Sequence, residues 1–481
     1  MNKDRLLLHQ PDVVERLAAS LQCYGAALDA SATGVGKTYS ACGVVRELKL
    51  PTLVVCPLVM RTVWERAAEY LGTEVSTINY EMLRTGRTPY AMEDRGDYRF
   101  NPAVKLAIFD EVHRCRGLDT DSSRLLIAAK RQKVPTLTLS ATPAESPIHM
   151  KALGYLLDLH SLDADTKKTL REEMEGKAKP TFWSWARALG VRPGPWGGME
   201  WRVSEARRID VMNRIRLQMK DKVVRLTTDM IPGFPKSKNS VELYDLHNSE
   251  RIDEIYAEIA EAESELKVKE GADWEKAVEK HRLFCERNKV EFELEDVVVS
   301  PLVKILRARQ RLELLMVPVM VELIDDSVVS GNSVAMFCEF KQTMLEVGAR
   351  IREEHRYIWG DNTGPENAQN AEDFRADKFR VVLCQNAAGG VGIGLQDTRG
   401  RHPREGFHLP GFSAQNLIQA HGRLPRAEAK SNVIQRVVLA NCQTHRQLRG
   451  VLAGKMNAID TLVDADLRPS NLAEETSVSI F

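Results

Sequence analysis

Short apolar runs alternate with amphipathic stretches in the first third of the chain. This alternation predicts a parallel β-sheet whose strands are joined by crossover helices. Each run ends in small or polar residues, and ligands of open α/β sheets bind at the carboxyl ends of the strands. The runs are residues 26–30 (AALDA), 51–58 (PTLVVCPL), 104–111 (VKLAIFDE) and 135–143 (PTLTLSATP).

A second set of such runs lies in the last third, at residues 333–340, 379–390, 406–412 and 433–441. The region between the two sets is charged and helical in pattern, and residues 251–288 are predicted to form an antiparallel helical pair. We therefore predict an α/β fold with two parallel-sheet domains and a helical insertion between or on them. The predicted domains are 1–160, 161–310 and 311–481.

Composition narrows the class of protein. The 481 residues are 43% hydrophobic and 28% charged, which argues against a disordered chain, a collagen-like repeat or a disulfide scaffold. Lys plus Arg and Asp plus Glu each number 67, so any site for a polyanion must be local. The sequence contains no long apolar run and no signal-peptide pattern, which predicts a cytoplasmic protein without a membrane partner. The eight cysteines never form a C-x-x-C pair, which favours buried thiols over disulfides or zinc.

A phosphate-binding loop is predicted at residues 31–38 (SATGVGKT), directly after the first run. Glycines there let backbone N–H groups turn toward phosphate oxygens, the lysine reaches the β- and γ-phosphates, and the threonine hydroxyl can bind Mg²⁺. The pattern G-x-x-x-x-G-K-[ST] is met except at its first glycine, where this chain has Ser31. The predicted contacts are Gly34, Val35, Gly36, Lys37 and Thr38.

Two acids close the third apolar run, in the sequence DEVH. A carboxylate at the end of a strand beside a phosphate loop suits a magnesium site, so Asp110 is predicted to hold the metal together with Thr38. Glu111 is the candidate for orienting and deprotonating the attacking water. The alternative is that both acids simply lie on the surface.

With these motifs the sequence resembles the superfamily 2 helicases and translocases. DEVH stands where that superfamily has its DEAD/DEAH-type box, and Ser140, Ala141 and Thr142 match its S-A-T motif. The resemblance implies two RecA-like domains, ATP and Mg²⁺ as cofactors, and a role for S-A-T in coupling hydrolysis to movement. Upstream, Gln10 resembles the glutamine that contacts adenine.

The second half carries further motifs of the superfamily. Residues 419–426 (QAHGRLPR) resemble Q-x-x-G-R-x-x-R, which implies that Gln419 binds nucleotide and that Arg423 and Arg426 reach the γ-phosphate. Which arginine makes the principal contact stays open, because the proline between them would interrupt a helix. Residues 387–395 (AAGGVGIGL) resemble a glycine-rich motif of the Swi/Snf-like branch, in which Gly392 would approach nucleotide and Gly390 the nucleic-acid strand.

Several weaker matches follow the order of the same branch: residues 79–83, 214–238 and 306–310. In that superfamily a strand is held by its phosphates, which implies sequence-independent binding of DNA. The candidate contacts are Arg61, Thr62, Lys341, Gln342 and Thr343. Four tryptophans at positions 183, 185, 196 and 201 are predicted to pack in a core, with base stacking as the alternative.

The resemblance implies an ATP-dependent DNA helicase or translocase of bacterial or phage origin. We expect a monomer that works on forked or branched DNA in replication, recombination or repair, together with a protein partner, in the host cytoplasm if a phage encodes it. An RNA helicase with the same ATP-hydrolysing domains is one alternative. The other is an ATP-dependent switch or interaction protein that is not a motor.

Overall fold

The computed structural model describes residues 6–144, 146–162, 179–194, 198–201, 203–270, 301–386, 393–409, 411 and 414–456. The chain divides into two compact units. The first contains Met1–Arg192 and Met199–Phe234, and the second contains Pro193–Gly198 and Pro235–Phe481. Among the described residues, no helix is both long and apolar enough to cross a membrane.

The first unit is built on a six-stranded sheet in the order β10-β1-β7-β6-β2-β3, and all of its pairings are parallel. The strands up to residue 234 are β1 (Ala26–Asp29), β2 (Thr52–Cys56), β3 (Ser76–Asn79), β4 (Ala91–Asp94), β5 (Asp97–Phe100), β6 (Leu106–Asp110), β7 (Thr136–Leu139), β8 (Val191–Pro193), β9 (Met199–Trp201) and β10 (Val223–Val224). The helices are α1 (Gln10–Tyr24), α2 (Lys37–Leu48), α3 (Arg61–Leu71), α4 (Tyr80–Leu83), α5 (Asp121–Arg131), α6 (Lys151–Leu156), α7 (Phe182–Ala188) and α8 (Glu205–Gln218).

The second unit also has a six-stranded parallel sheet, in the order β11-β16-β15-β12-β14-β13. Its strands are β11 (Ser237–Tyr244), β12 (Ser333–Cys338), β13 (His355–Ile358), β14 (Val381–Gln385), β15 (Arg404–His408) and β16 (Val433–Ala440). Its helices are α9 (Glu250–Glu270), α10 (Pro301–Leu315), α11 (Val317–Val329), α12 (Lys341–Gly348), α13 (Gly364–Arg375), α14 (Ala414–His421) and α15 (Gln443–Met456).

Every apolar run of the sequence analysis forms a strand of one of these sheets. β1, β2, β6 and β7 are buried along their whole length, as is usual for strands that helices cover on both faces. The same holds for β12 and β15 in the second unit. The predicted α/β fold class, with two parallel-sheet, RecA-like domains, is confirmed.

The region between the predicted domains does not stand apart as a separate body. β10 pairs with β1 in the first unit, and β11 pairs with β16 in the second. The division therefore falls between Phe234 and Pro235 rather than at residues 160 and 310. The physical reason is that β10 has only two residues and β11 mixes polar with apolar positions, so neither forms an apolar run.

Charged helices of the region join the core of the second unit. Ile252, Ile255 and Ile259 of α9 pack in one cluster with residues of α10, α11 and the central strands. The rest of the predicted helical pair, residues 271–288, lies outside the described residues.

In the first unit, Trp185 and Trp201 are buried in the core, which favours packing over base stacking. Trp196 lies outside the described residues.

Six cysteines are buried thiols, as expected, and one is exposed. The exposed thiol is Cys23, and the buried ones are Cys42, Cys56, Cys115, Cys338, Cys384 and Cys442. Cys285 lies outside the described residues.

Candidate nucleotide-binding site

The predicted phosphate loop connects β1 to the first turn of α2. Gly34 and Gly36 have left-handed backbones, with φ of 82° and 89°. The positive φ favours glycine at position 36, and a Cβ there would lie 2.4 Å from Nε2 of Gln10, so that the amide would have to move. Lys37 begins α2, and its Nζ donates to the carbonyl oxygens of Ser31 and Ala32 at 2.8 and 3.0 Å. The ammonium therefore lies across the loop at a helix N-terminus, an arrangement suited to phosphate.

Ser31, the one departure from the phosphate-loop pattern, has a structural role. Its hydroxyl accepts a hydrogen bond from the backbone N–H of Leu226 at 3.0 Å, and its own N–H donates to Oδ1 of Asp29 at 3.0 Å. Asp29 is buried beneath the loop, and burial raises the pKa of its carboxyl while the charge of Lys37 opposes that rise. Sequence reasoning missed both Asp29 and Leu226. The only available signal was an acid at the end of an apolar run.

The start of α1 braces the same loop. Nε2 of His9 lies 2.9 Å from the carbonyl oxygen of Val35, and the side-chain amide of Gln10 donates to the carbonyl oxygen of Gly36 at 3.2 Å. Oε1 of Gln10 accepts from the N–H of Leu7 at 2.9 Å, and the residue is only 2% exposed. The structure thus brings the predicted adenine contact to the loop, where the amide binds backbone instead of facing solvent.

The acid box lies at the carboxyl end of β6. Oδ2 of Asp110 accepts from Nε1 of Trp64 at 2.8 Å, Oδ1 accepts from the N–H of Glu111 at 2.9 Å, and the backbone carbonyl accepts from the hydroxyl of Tyr80 at 2.7 Å. Burial, followed by the charge of Glu111, raises the pKa of Asp110 to about 7.

Glu111 has a left-handed backbone with φ of 52°, in which a non-glycine residue is strained. Burial acts to raise the pKa of its carboxyl, but the hydrogen bond and charge of His113 and the charge of Lys37 bring the pKa below its ordinary range. Nδ1 of His113 lies 3.2 Å from Oε2 of Glu111. The carboxyl of Glu111 is therefore ionised near neutral pH, as a general base must be.

The S-A-T motif contacts the acid box and the end of β1, from which the phosphate loop begins. Nδ1 of His113 lies 3.3 Å from Oγ of Ser140, and the N–H of Ser140 donates to the carbonyl oxygen of Asp29 at 3.1 Å. Oγ of Ser140 also accepts from the N–H of Thr142 at 3.2 Å, across Ala141. The phosphate loop, the acid box and S-A-T therefore lie together because β7 runs between β1 and β6.

The donor set of the first unit fits a magnesium-bound nucleotide. Each carboxylate oxygen of Asp110 accepts one hydrogen bond from the protein. Because each oxygen has two lone pairs, one remains on each oxygen to bind a cation. Mg²⁺ in nucleotide sites is bound by one or two carboxylates together with phosphate oxygens and water. Asp110 and the hydroxyl of Thr38 are the residues that would hold it, and Lys37 with the N–H groups of the loop would hold the phosphates.

The predicted arginines lie in the second unit, after α14. Arg423 is 2% exposed, its guanidinium carbon lies 5.3 Å from the centre of the Phe337 ring, and burial lowers its pKa to about 10. Among the described residues, its Nε and Nη1 have no hydrogen-bond acceptor. Arg426 is partly exposed, with Nη2 3.5 Å from the carbonyl oxygen of Ile393. α14 ends at His421, so Pro425 interrupts no helix.

The other nucleotide candidates of the second unit are only partly described. Gln419 lies in α14 and is half-buried. Gly390 and Gly392 lie outside the described residues.

Among the nucleic-acid candidates, Thr62 is exposed in the first turn of α3, and the half-buried Arg61 donates from Nε to Oγ1 of Thr77 at 3.2 Å. Lys341 and Gln342 are exposed at the start of α12, where Lys341 pairs with Asp361.

The structure differs from the prediction at Thr343. This side chain is 0% exposed, and its hydroxyl donates to Oε2 of Glu313 at 2.9 Å. Glu313 also accepts from the N–H groups of Glu339 and Phe340, at 2.8 and 3.1 Å, and so caps the start of α12 from α10. Thr343 therefore anchors the helix that carries the two exposed candidates instead of reaching a ligand itself. Sequence reasoning missed Glu313, which no motif marks.

No family model matches the chain. A protein of Acanthamoeba polyphaga mimivirus, whose name describes it provisionally as an ATP-dependent RNA helicase, is 29% identical over 497 aligned residues. That alignment covers 96% of this chain and 84% of the relative.

Among solved structures, the SWI2/SNF2 ATPase core of Sulfolobus solfataricus in complex with double-stranded DNA aligns with 98% of this chain and 94% of its own. The identity is 13% and the TM-score 0.34. The similarity to the mimivirus protein thus extends over nearly the whole of this chain.

Proposed function

We propose that the protein is an ATP-dependent DNA helicase or translocase. The observation that carries the proposal is the meeting of the phosphate loop, the acid box and the S-A-T motif at the carboxyl ends of β1, β6 and β7. Ser140 contacts His113 of the acid box and donates to Asp29 of β1, and Asp29 in turn accepts from Ser31 of the phosphate loop. Such a site can bind a nucleoside triphosphate and direct a water at its terminal phosphate.

Each residue of the site has a defined task in this proposal. Lys37 and the first amides of α2 bind phosphate oxygens, while Thr38 and Asp110 hold Mg²⁺. Bound Mg²⁺ supplies neutralisation of the charge that develops on the phosphate oxygens. Glu111 orients the attacking water and accepts its proton, a task for which its carboxyl must be ionised, and the lowered pKa keeps it so near neutral pH.

Coupling of hydrolysis to movement is assigned to Ser140 and the arginines. Ser140 contacts His113, which holds Glu111, so displacement of the S-A-T segment would disturb the base. Of the two arginines, Arg426 is the better candidate for the γ-phosphate, because Arg423 is buried against Phe337.

DNA is proposed as the polymer because the glycine-rich segment 387–395 and residues 214–238 resemble the Swi/Snf-like branch. Phosphate contacts through Arg61, Thr62, Lys341 and Gln342 would make binding independent of sequence and sensitive to salt. RNA is the second candidate, and the observation that favours it is the name of the mimivirus relative. A nucleotide-driven switch without motor activity is the third.

The test is steady-state ATP hydrolysis without polymer and with linear duplex DNA, single-stranded DNA, forked DNA or RNA. Lys37→Ala should lose nucleotide binding, and Glu111→Gln should still bind but hydrolyse about 10² to 10⁴ times more slowly. Glu69→Gln, which alters an exposed carboxylate of the same unit, is the matched control. Stimulation by DNA supports the proposal, stimulation by RNA alone selects the second candidate, and equal rates in every condition select the switch.

We further propose that the protein acts as a monomer on forked or branched DNA in the cytoplasm, with a replication or recombination partner. Binding to forked and linear duplexes of equal length tests the preference for branches, and light scattering gives the mass in solution. Equal affinity for both duplexes would refute the preference.

A further inference from the structure

Trp64, the largest fully buried side chain among the residues that the structure describes, is hydrogen-bonded directly to the candidate magnesium site. It lies in the first turns of α3, is 0% exposed, and donates its indole N–H to Oδ2 of Asp110 at 2.8 Å. A buried indole requires a hydrogen-bond acceptor, but any backbone carbonyl would serve. Here the acceptor is the carboxylate that the proposed function assigns to the metal.

The remaining contacts of Asp110 complete its fixation. Oδ1 is held by the N–H of Glu111, and the backbone carbonyl is held by the hydroxyl of Tyr80. With Trp64 on Oδ2, each carboxylate oxygen carries one protein hydrogen bond, and the plane of the carboxylate is fixed. Groups that hydrogen-bond to a metal-binding side chain set the orientation of that side chain, and their loss typically weakens metal binding by about 10- to 100-fold.

The helix that carries Trp64 is itself anchored. Arg61 donates from Nε to Oγ1 of Thr77 in β3, and that hydroxyl donates to Oε1 of Glu65 at 3.0 Å. These contacts lie on both sides of Trp64 along α3. The indole is therefore presented by a fixed element, as a positioning group must be.

We infer that Trp64 is a positioning residue, which orients the carboxylate of Asp110 for Mg²⁺ through its indole N–H. This inference rests on the proposed function, because it needs a nucleotide-bound metal at Asp110. It assigns to Trp64 a role that packing alone would not require, and the two roles are separable. A substitution that keeps an aromatic ring but removes the N–H should weaken metal-dependent binding and leave metal-free binding unchanged.

The test measures binding of a fluorescent, non-hydrolysable ATP analogue to the full chain by anisotropy, first in EDTA and then across a Mg²⁺ titration. The variants are Trp64→Phe and, as the matched control, Trp185→Phe, which makes the same change at a buried tryptophan of the same unit. We expect Trp64→Phe to raise the Mg²⁺ concentration for half-maximal binding by about 10-fold or more. Binding in EDTA should equal that of wild type, and Trp185→Phe should match wild type in both conditions.

A Mg²⁺ midpoint of Trp64→Phe within twofold of wild type would overturn the inference while leaving the proposed function intact. Absence of nucleotide binding in the wild type at every Mg²⁺ concentration would instead refute the proposed function, and the inference with it. Should Trp64→Phe fail to fold, as judged by thermal unfolding, the benzothiophene analogue of tryptophan at position 64 keeps the ring size without the N–H. The same shift in the Mg²⁺ midpoint is then expected from that protein.

Discussion

Replacing Glu313 by glutamine should remove a pH dependence of stability from the second unit. The carboxyl is 6% exposed and receives three hydrogen bonds, from the N–H groups of Glu339 and Phe340 and from the hydroxyl of Thr343. These donors favour its ionised form, yet burial outweighs them and raises the pKa of Glu313 from the ordinary 4.5 to about 7. Glutamine has nearly the same shape but does not titrate.

The magnitude follows from linkage. Between pH 4.5 and about 7 the folded protein keeps the Glu313 proton that the unfolded chain has lost, so stability falls as pH rises through this interval. At about 1.4 kcal/mol for each pH unit, the loss over the whole interval is about 3 to 4 kcal/mol, or roughly 300-fold in the opening equilibrium. The contribution is fully present below pH 4.5 and lost above about 7.

Hydrogen exchange at the amides of Glu339 and Phe340 measures this opening directly, once intrinsic exchange rates are corrected for pH. From pH 5 to 8, protection in the wild type should fall about a hundredfold more than in Glu313→Gln. Glu346→Gln removes a partly exposed carboxylate from α12, the helix that Glu313 caps, and should retain the wild-type slope of protection against pH. Parallel slopes for wild type and Glu313→Gln would refute the reasoning.

Three further changes test the nucleotide site. Ser140→Ala should lower kcat about 10-fold with little change in nucleotide affinity, because the hydroxyl of Ser140 contacts His113 beside the general base. Ser140→Thr should restore activity, and a change confined to KM would contradict this reasoning. Gln10→Ala should weaken the equilibrium binding of ATP and of GTP equally, by about fivefold, because one hydrogen bond to the loop of about 1 kcal/mol is lost. Selective loss of ATP binding would instead show that the amide contacts the base. Arg426→Ala should reduce polymer-stimulated kcat by about 10³-fold and Arg423→Met by far less, and the reverse order would identify the buried arginine as the one that acts.

The central strands and the motifs beside them could be predicted from sequence because both are local patterns. Leu106–Asp110 is a continuous apolar run, and its two acids follow directly. The sequence could not predict β10 or β11, because two residues form no pattern and β11 mixes polar with apolar positions. Their places depend on pairing with strands about 200 residues away in each case, at Leu28 and at Val433.

The supporting residues of the site were harder still to predict. Trp64 and Glu313 belong to no phosphate, metal or hydrolysis motif, and each acts on a residue distant in sequence. At Thr343 the sequence instead predicted a ligand contact, because a hydroxyl follows directly after a strand. In the structure this side chain is buried and donates to Glu313, which caps the helix. Orientation of a side chain depends on tertiary packing, so spacing alone could not decide it.

The hydrogen bond from Leu226 to the hydroxyl of Ser31 also determines what length of chain can fold alone. β1 lies between β7 and β10, and the N–H groups of Leu28 and Ala30 are bonded to the segment around β10 at 2.8 Å. A nascent chain that has emerged only to residue 160 would present β1 as an unpaired edge, open to intermolecular pairing. The phosphate loop therefore reaches its final form only after Leu226 has been synthesised, and a fragment meant to bind nucleotide should extend to Phe234.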